Sequence, residues 1–468
     1  MMFSCKFLQQ IIILCVFICG TQRDCFAEEQ GQSTERIKVI YWEKWADFEG
    51  DAMRSLVERF NASQDRIEVV YVHVRDNRTK TLLATAGGNP PDVAGVFPDV
   101  LPKYAEKEAI IPLDALMLRD NLQPARYLPS VISICRYKGY TWALPTTPTN
   151  LALYYNKRMF REAGLNPEMP PATLDELESF ARQLTVTDQD GDIQLLGFSP
   201  ELPKWFRARW IYWFGGEIWN GTDRMTLDSD KFVAMLTWMQ SFTTIYGAER
   251  LQAFQAGEGP FNSAQNLFIS GRVGMQMQGV WMANFIKKNN PNLDWGAAPF
   301  PTNRTGEPPT TFMDCDVLVI PKGAKHPNEA WEFIRFVQLQ KNMEDLCRDQ
   351  WKFSPLVQVS KSFYDDHPHP EIRLFRELAE SPNAIPSPRI GIFDDFRQEL
   401  DHAIDSVLLL QSTPREAALQ AQEKLQARLL RHVHQWERVE AERRKSWFQS
   451  MTFNGTLPAP PQLLGDER

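Results

Sequence analysis

Histidine and cysteine are both scarce here, with seven of each in 468 residues. Neither falls in a zinc-ligand spacing, and no GxSxG, P-loop, HExxH or CxxC pattern occurs. Hydrolase, nucleotide-binding and dithiol chemistry of those kinds is therefore not indicated. His432 and His434, two apart on a helical stretch, point to different faces, and His367-Pro368-His369 has no third ligand near it. No metal, cofactor or catalytic residue is expected. Asp188-Gln189-Asp190-Gly191-Asp192 looks like a calcium loop, but an EF-hand needs glycine sixth and glutamate twelfth, where Ile193 and Ser199 stand. An acidic surface hairpin is the expectation instead. An excess of positive charge is also missing. The formal net charge of -8 argues against nucleic-acid or anionic-membrane partners, which need basic patches.

Long apolar runs are absent beyond the N-terminus. Residues 11–20 are apolar but too short to span a bilayer, Lys6 precedes them, and Cys25 and Ala27 sit at minus three and minus one of a cut before Glu28. Residues 1–27 are thus expected to be a signal peptide for export to the periplasm. A lipid-anchored start needs a small residue before the modified cysteine, whereas Ile18 precedes Cys19 and Asp24 precedes Cys25. Four of the cysteines fall in this leader. Cys135, Cys315 and Cys347 remain, an odd set that allows one disulfide plus a free thiol or three buried thiols.

What is present reads as an α/β protein too long for one ordinary domain. Residues 37–41 form a strand pattern, about 49–61 an amphipathic helix, 67–72 a second strand, 79–86 a helix and 92–96 a third strand. This βαβαβ rhythm implies a largely parallel sheet flanked by helices. Residues 151–155 are strand-like, a short helix 159–163 ends at Gly164, and Thr173 caps the next helix, with Glu176 placed for a capping box. Phe206, Trp210 and Trp213 form one face of a helical segment. After Pro414 a long helical pattern carries Leu419, Leu425, Leu429, Val433 and Trp436 as its apolar stripe.

Several of these segments carry recognisable signatures in a fixed order. They include Gly87-Gly88-Asn89-Pro90-Pro91-Asp92-Val93, the stretch 137–145 ending in Ala143-Leu144-Pro145, and the run 145–177. The segments 268–281, 295–301 and 320–337, and Ser354-Pro355, continue the series. Together they resemble the family 1 extracellular solute-binding proteins, the maltose-binding-protein-like group that serves ABC importers. The resemblance implies a two-lobed, periplasmic-binding-protein-like (type II) fold, each lobe a mainly parallel sheet flanked by helices, with a hinge between. It places lobe I at 37–146 plus 297–350, lobe II at 147–296 plus 351–434, and a C-terminal extension at 435–468. Crossovers are expected near Pro145, Phe300 and Trp351. Asp314 and Asp316 replace glycines common in the family, which points to an unusual pocket shape.

With fourteen Trp and 12% aromatic residues, stacking on sugar rings is the natural chemistry, since a sugar offers apolar C–H faces and hydroxyl edges. Trp42, Glu43 and Asp99 follow parallel strands, where such folds place sites. From the resemblance, Trp281 faces ligand, Thr147, Asp314 and Trp351 lie near the crossovers, and Trp219 is in reserve. Tyr154 and Tyr155 alternate, so one of them faces the cleft, and Tyr154 is chosen. The expected role is capture of a mono- or oligosaccharide for an ABC permease by a monomer, with no bond made or broken. The alternatives are the same fold binding glycerol phosphate or a polyamine, and a secreted carbohydrate-active enzyme with paired carboxylates.

Overall fold

The structure is a computed structural model that describes residues 35–303 and 306–450, with side chains only up to 436. The expected leader, the proline-rich end and the side chains of the basic cluster at 443–445 lie outside what is described. Strands β1 (Ile37–Glu43), β2 (Ile67–His73) and β3 (Val93–Val96) pair in parallel, with β1 in the middle. Helices Asp47–Ala62 and Asn77–Ala86 connect them, which is the expected βαβαβ opening. A hairpin of β4 (Arg136–Tyr137) and β5 (Tyr140–Thr141) turns at Lys138-Gly139, both with positive φ. Strand β6 (Leu144–Asn156) then runs for 13 residues, every one buried. Alternation cannot expose either face of a strand that is packed on both.

Strands β7 (Val186–Thr187) and β8 (Ile193–Leu195) form the acidic hairpin, whose Asp188 carboxylate accepts from the backbone N–H groups of Asp190 and Asp192. Strands β9 (Met275–Gly279) and β10 (Trp295–Ala298) flank the second half of β6 and run antiparallel to it. Strand β11 (Thr311–Val319) lies antiparallel between β3 and the first half of β6, and β12 (Ala384–Pro386) joins β11 in parallel. The sheet order is β10-β6-β11-β3-β1-β2. Parallel pairing therefore holds around β1 and for β11 with β12. The strands beside β6 oppose it because β6 itself carries the chain from one half of the molecule to the other.

The core falls into three clusters. One surrounds β1 and β2 with Trp331, Phe333 and Phe363; one fills the middle around Tyr154, Phe268 and Phe375; the largest packs the rings of Phe198, Trp210, Trp213 and Trp238. After Trp351 the chain stays with the first two clusters through Phe353, Leu356 and Phe363, then packs on the third through Ile385 and enters it with Ile390 and Phe393. The chain thus makes a third passage, from the first two clusters to the third, at β12. Cys135, Cys315 and Cys347 are free and buried. Thr173 accepts from Glu176 N at 3.2 Å, and Glu176 accepts from Thr173 N at 3.3 Å, completing the capping box. The aromatic segment Lys204–Phe214 winds as a 3-10 helix, so Arg207, Trp210 and Trp213 stack at three-residue spacing. Helix Pro414–Ser450 packs through Ala417, Ala418, Ala421, Leu425 and Leu429, while Leu419 of the expected stripe is 51% exposed. Among the described residues no helix is long and apolar enough to cross a membrane.

Candidate functional site

The end of β1 feeds a buried charged network. Glu43 accepts from Lys44 N at 2.7 Å and from the Tyr41 hydroxyl. It faces Gly95 on β3, where a Cβ would lie 2.0 Å from its carboxylate, so the glycine makes room for the acid. Asp316 on β11 is bound from three sides. Lys44 Nζ lies 3.0 Å from Oδ1, Lys352 Nζ 3.1 Å from Oδ2, and Trp45 Nε1 donates to Oδ2 at 3.0 Å. Lys352 also reaches Glu49 at 2.7 Å. Thr147 Oγ1 sits 3.0 Å from Asp316 Oδ2 and 2.8 Å from Gln350 Oε1. Burial by itself would raise the Asp316 carboxyl, but Lys352 and Lys44 hold it well below the usual carboxylate range. Burial would lower Lys352, and Asp316 and Glu49 outweigh it to push the ammonium up. Glu49 moves the other way: burial raises its carboxyl more than Lys352 lowers it.

Phe97, just after β3, links this network to a second group of charges. Lys44 Nζ lies 4.8 Å and the Arg78 guanidinium 5.6 Å from its ring, and Trp45 meets it edge-on at 5.4 Å. Arg78 pairs with Asp99 at 2.9 Å and reaches Asp394 on helix Phe393–Leu408 at 3.6 Å. Asp99 and Asp314 line one small cavity of about 20 Å³, together with Met313 and the segment 386–389. Burial, with Asp99 adding to it, pushes the Asp314 carboxyl up to about 7. Across from them, Arg209 lies 4.1 Å over the Phe312 ring and 5.6 Å from Phe206. Burial lowers its pKa, and Asp314 opposes that shift.

Trp281 joins this wall at 6.4 Å from Phe206. Its ring folds back over Gly279, where a Cβ would meet it at 2.2 Å. Three buried polar atoms here have no hydrogen-bond partner: the Asp99 Oδ1 acceptor and the Arg209 Nε and Trp281 Nε1 donors. An unmade buried hydrogen bond costs about 1–3 kcal/mol, so such atoms are normally completed by water or ligand.

The expected site residues divide accordingly. Glu43 and Thr147 belong to the charged network, and Asp99, Asp314 and Trp281 to the wall beside it. Trp42 is half-buried on β1, alternating with Glu43 and so directed to the other face. Trp351 is half-buried at φ 58°, between network residues Gln350 and Lys352. Trp219 lies elsewhere, lining a cavity of about 950 Å³ with Tyr212 and Trp436. Tyr154 is fully enclosed, stacked on Trp295 at 5.1 Å with its hydroxyl donating to Gly279 O at 3.1 Å, and Tyr155 is buried too. Neither tyrosine presents a free face, because β6 is covered on both sides. Lys44, Trp45, Glu49, Arg78, Arg209, Asp316 and Lys352 are not singled out as site residues by sequence. The one signal for any of them is that Asp316, like Asp314 two residues before it, stands where the resembled family commonly has glycine.

The sequence profile described as bacterial extracellular solute-binding protein matches residues 48–344. The maltotriose-binding protein of Pyrococcus abyssi is 24% identical over 303 residues, covering 64% of this chain and 62% of that protein. The sn-glycerol-3-phosphate-binding periplasmic protein UgpB of Salmonella paratyphi A is 21% identical over 411 residues, 83% of this chain and 91% of that one. Among solved structures, CpMnBP1 with mannotriose bound superposes with a TM-score of 0.74 at 28% identity, covering 83% of this chain and 99% of that chain. Maltose-bound MalE3 of T. maritima has a TM-score of 0.66 at 18% identity over 83% of this chain and 99% of its own, a likeness of fold. The two-lobed maltose-binding-protein-like architecture is therefore the fold of this molecule, and the chain belongs to the bacterial extracellular solute-binding proteins.

Proposed function

We propose that the protein captures a carbohydrate between its two lobes and delivers it to the transmembrane subunits of an ABC importer, acting as an exported monomer and breaking no bond. The observation that carries this reading is the pair of unpartnered buried donors, Arg209 Nε and Trp281 Nε1, whose side chains both lie against the Phe206 ring, with the unpartnered acceptor Asp99 Oδ1 in the cavity it shares with Asp314. A sugar hydroxyl donates and accepts at once, and its C–H face stacks on a ring, so one pyranose matches both demands. The similarity to a maltotriose-binding protein and to CpMnBP1 with mannotriose supports the same class. Lobe I then takes in 37–146 and 297–350, and lobe II 147–296 with the chain that follows β12. Export rests on the leader read at 1–27.

Closure is the mechanism. A ligand that touches both lobes only when they are shut shifts the open–closed equilibrium by its differential affinity, and the permease reads the shut form. Intrinsic tryptophan fluorescence, titrated with maltotriose, mannotriose, glycerol 3-phosphate and polyamines, tests this. Saturable binding of a sugar that is recovered intact is the expected result. A response confined to the phosphate or the amine would keep the fold and overturn the substrate class, and a hydrolysed sugar would overturn the non-enzymatic role.

A further inference from the structure

Past Leu429 the long helix Pro414–Ser450 gains partners outside the largest core cluster, on which Val433 still packs. Up to that point it lies on helices Asp230–Tyr246 and Phe393–Leu408, within the largest core cluster. One turn later His432 Nε2 lies 3.2 Å from Glu106 Oε1, at the end of helix Leu101–Glu106, which stands beside β3 in the other half of the molecule. A turn beyond, Trp436 lies under the Lys138 ammonium of the β4–β5 hairpin, 3.8 Å from nitrogen to ring centroid. Two contacts at four-residue spacing thus join one helix face to helix Leu101–Glu106 and to the β4–β5 hairpin.

Glu106 is prepared to receive this contact. The Tyr137 hydroxyl donates to the same Oε1 at 2.6 Å, and Gly391 N donates to it at 3.3 Å. Gly391 stands just before helix Phe393–Leu408, in the third passage between the halves, and a Cβ there would fall 1.8 Å from Glu106 Oε2. One carboxylate oxygen therefore gathers the hairpin, the passage and the C-terminal helix. Burial would raise this carboxyl, but His432 and Tyr137 hold it below its ordinary value. Beneath the helix lies the cavity of about 950 Å³, bounded by Tyr137, Trp219, Arg389 and Trp436.

In the same structure the opposite walls of the cleft touch. Phe48 meets Phe285 edge-on at 5.8 Å, and Lys103 lies 3.6 Å from Asp394. The bridges and the closed walls therefore coexist. We infer that Glu106, His432 and Trp436 form a latch by which the C-terminal helix ties the two lobes together and favours their closed arrangement. They are positioning residues for ligand capture and touch no ligand. The inference rests on the two-lobe reading above but not on which solute is bound.

The test is made on the full chain without ligand. Spin labels on Lys80→Cys and Lys287→Cys, both exposed positions, report the separation of the lobes by pulsed electron resonance; Cys135, Cys315 and Cys347 are buried, and the four cysteines within residues 1–27 are changed to serine. His432→Ala and Glu106→Gln should raise the ratio of long to short separations about five-fold, and Trp436→Ala by less. His432→Gln, which keeps a donor for Glu106, should restore the original distribution. Circular dichroism and the melting temperature establish that each variant is folded. An unchanged distribution in folded His432→Ala, or a shift to shorter separations, overturns the latch. A shift as expected in a protein that binds no sugar keeps the latch and removes the carbohydrate reading.

Discussion

Two solvent-excluded regions of this molecule are built on opposite principles. Around Asp316, three carboxylates and two ammonium groups pack together with Trp45, Thr147 and Gln350. Around Trp210, the rings of Trp213, Phe300 and Trp238 stand 4.9–5.5 Å from it, and the nearby Arg207 is paired away with Glu201, Asp401 and Asp405. The aromatic region needs volume and shape, and each ring is stabilised by many weak contacts. The charged region needs every partner, since desolvating an ion is repaid only when its counter-ions and hydrogen bonds are in place. The first can relax around a loss. The second cannot, and it stands at the end of β1, where parallel-sheet folds of this kind handle their ligands.

The largest expected effect breaks the charged region. Lys352→Met leaves Asp316 and Glu49 short of a counter-ion in a dry site, and should cost about 3–5 kcal/mol in urea unfolding. A double cycle with Asp316→Asn should show strong coupling. Additive losses would mean that water reaches the site and that the network is not a unit.

Next in size is Asp314, whose carboxyl sits at about 7 against an ordinary 3.8. The folded protein keeps a proton that the unfolded chain has already released. Its contribution to stability is therefore complete below about pH 4 and is lost as pH rises through about 7. Asp314→Asn should remove that slope, giving a gain over the unmodified protein of about 2–4 kcal/mol at pH 8 that vanishes at pH 4. Melting temperatures across this range decide it, and parallel curves for the two proteins would show that Asp314 ionises freely. The aromatic region should respond less. Trp210→Phe removes one ring and the Nε1 donation to Pro200 O at 3.0 Å, at about 1–2 kcal/mol. A loss as large as that of Lys352→Met would erase the distinction between the regions.

The same contrast explains what is legible in the sequence. Caps, turns and strand openings are local, so Thr173 with Glu176, the break at Gly164 and the β1–β3 rhythm can be read from a few neighbouring residues. Glu43 is legible because it follows a recognisable strand, and Thr147 and Asp314 because they fall in segments that resemble the family. Their partners are not, because the network is assembled across great chain distance. Trp45 and Asp316 are 271 residues apart, and Lys352 meets Glu49 from another segment again. Arg209 is hidden among aromatics that mark a core face. Tyr154 misleads because alternation says which residues share a face but not whether that face meets solvent, and β6 is buried on both.

Trp281 stands at the edge of the aromatic region, and it yields the smallest effect and the sharpest comparison. Its ring packs on the aromatic cluster through Phe206, while its Nε1 is buried beside the cleft with no partner. A residue used only as core would weaken folding when truncated and leave ligand affinity alone. A residue whose ring stacks on sugar would do the reverse. Its ring is half-buried, folded back over Gly279 and packed against two of the core clusters. Trp281→Ala should weaken sugar binding by about 1 kcal/mol or more, while the urea midpoint moves less than for Trp210→Phe. An unchanged dissociation constant with a large loss of stability would assign Trp281 to the aromatic core, and the stacking surface would have to be sought at Trp42 or Trp351.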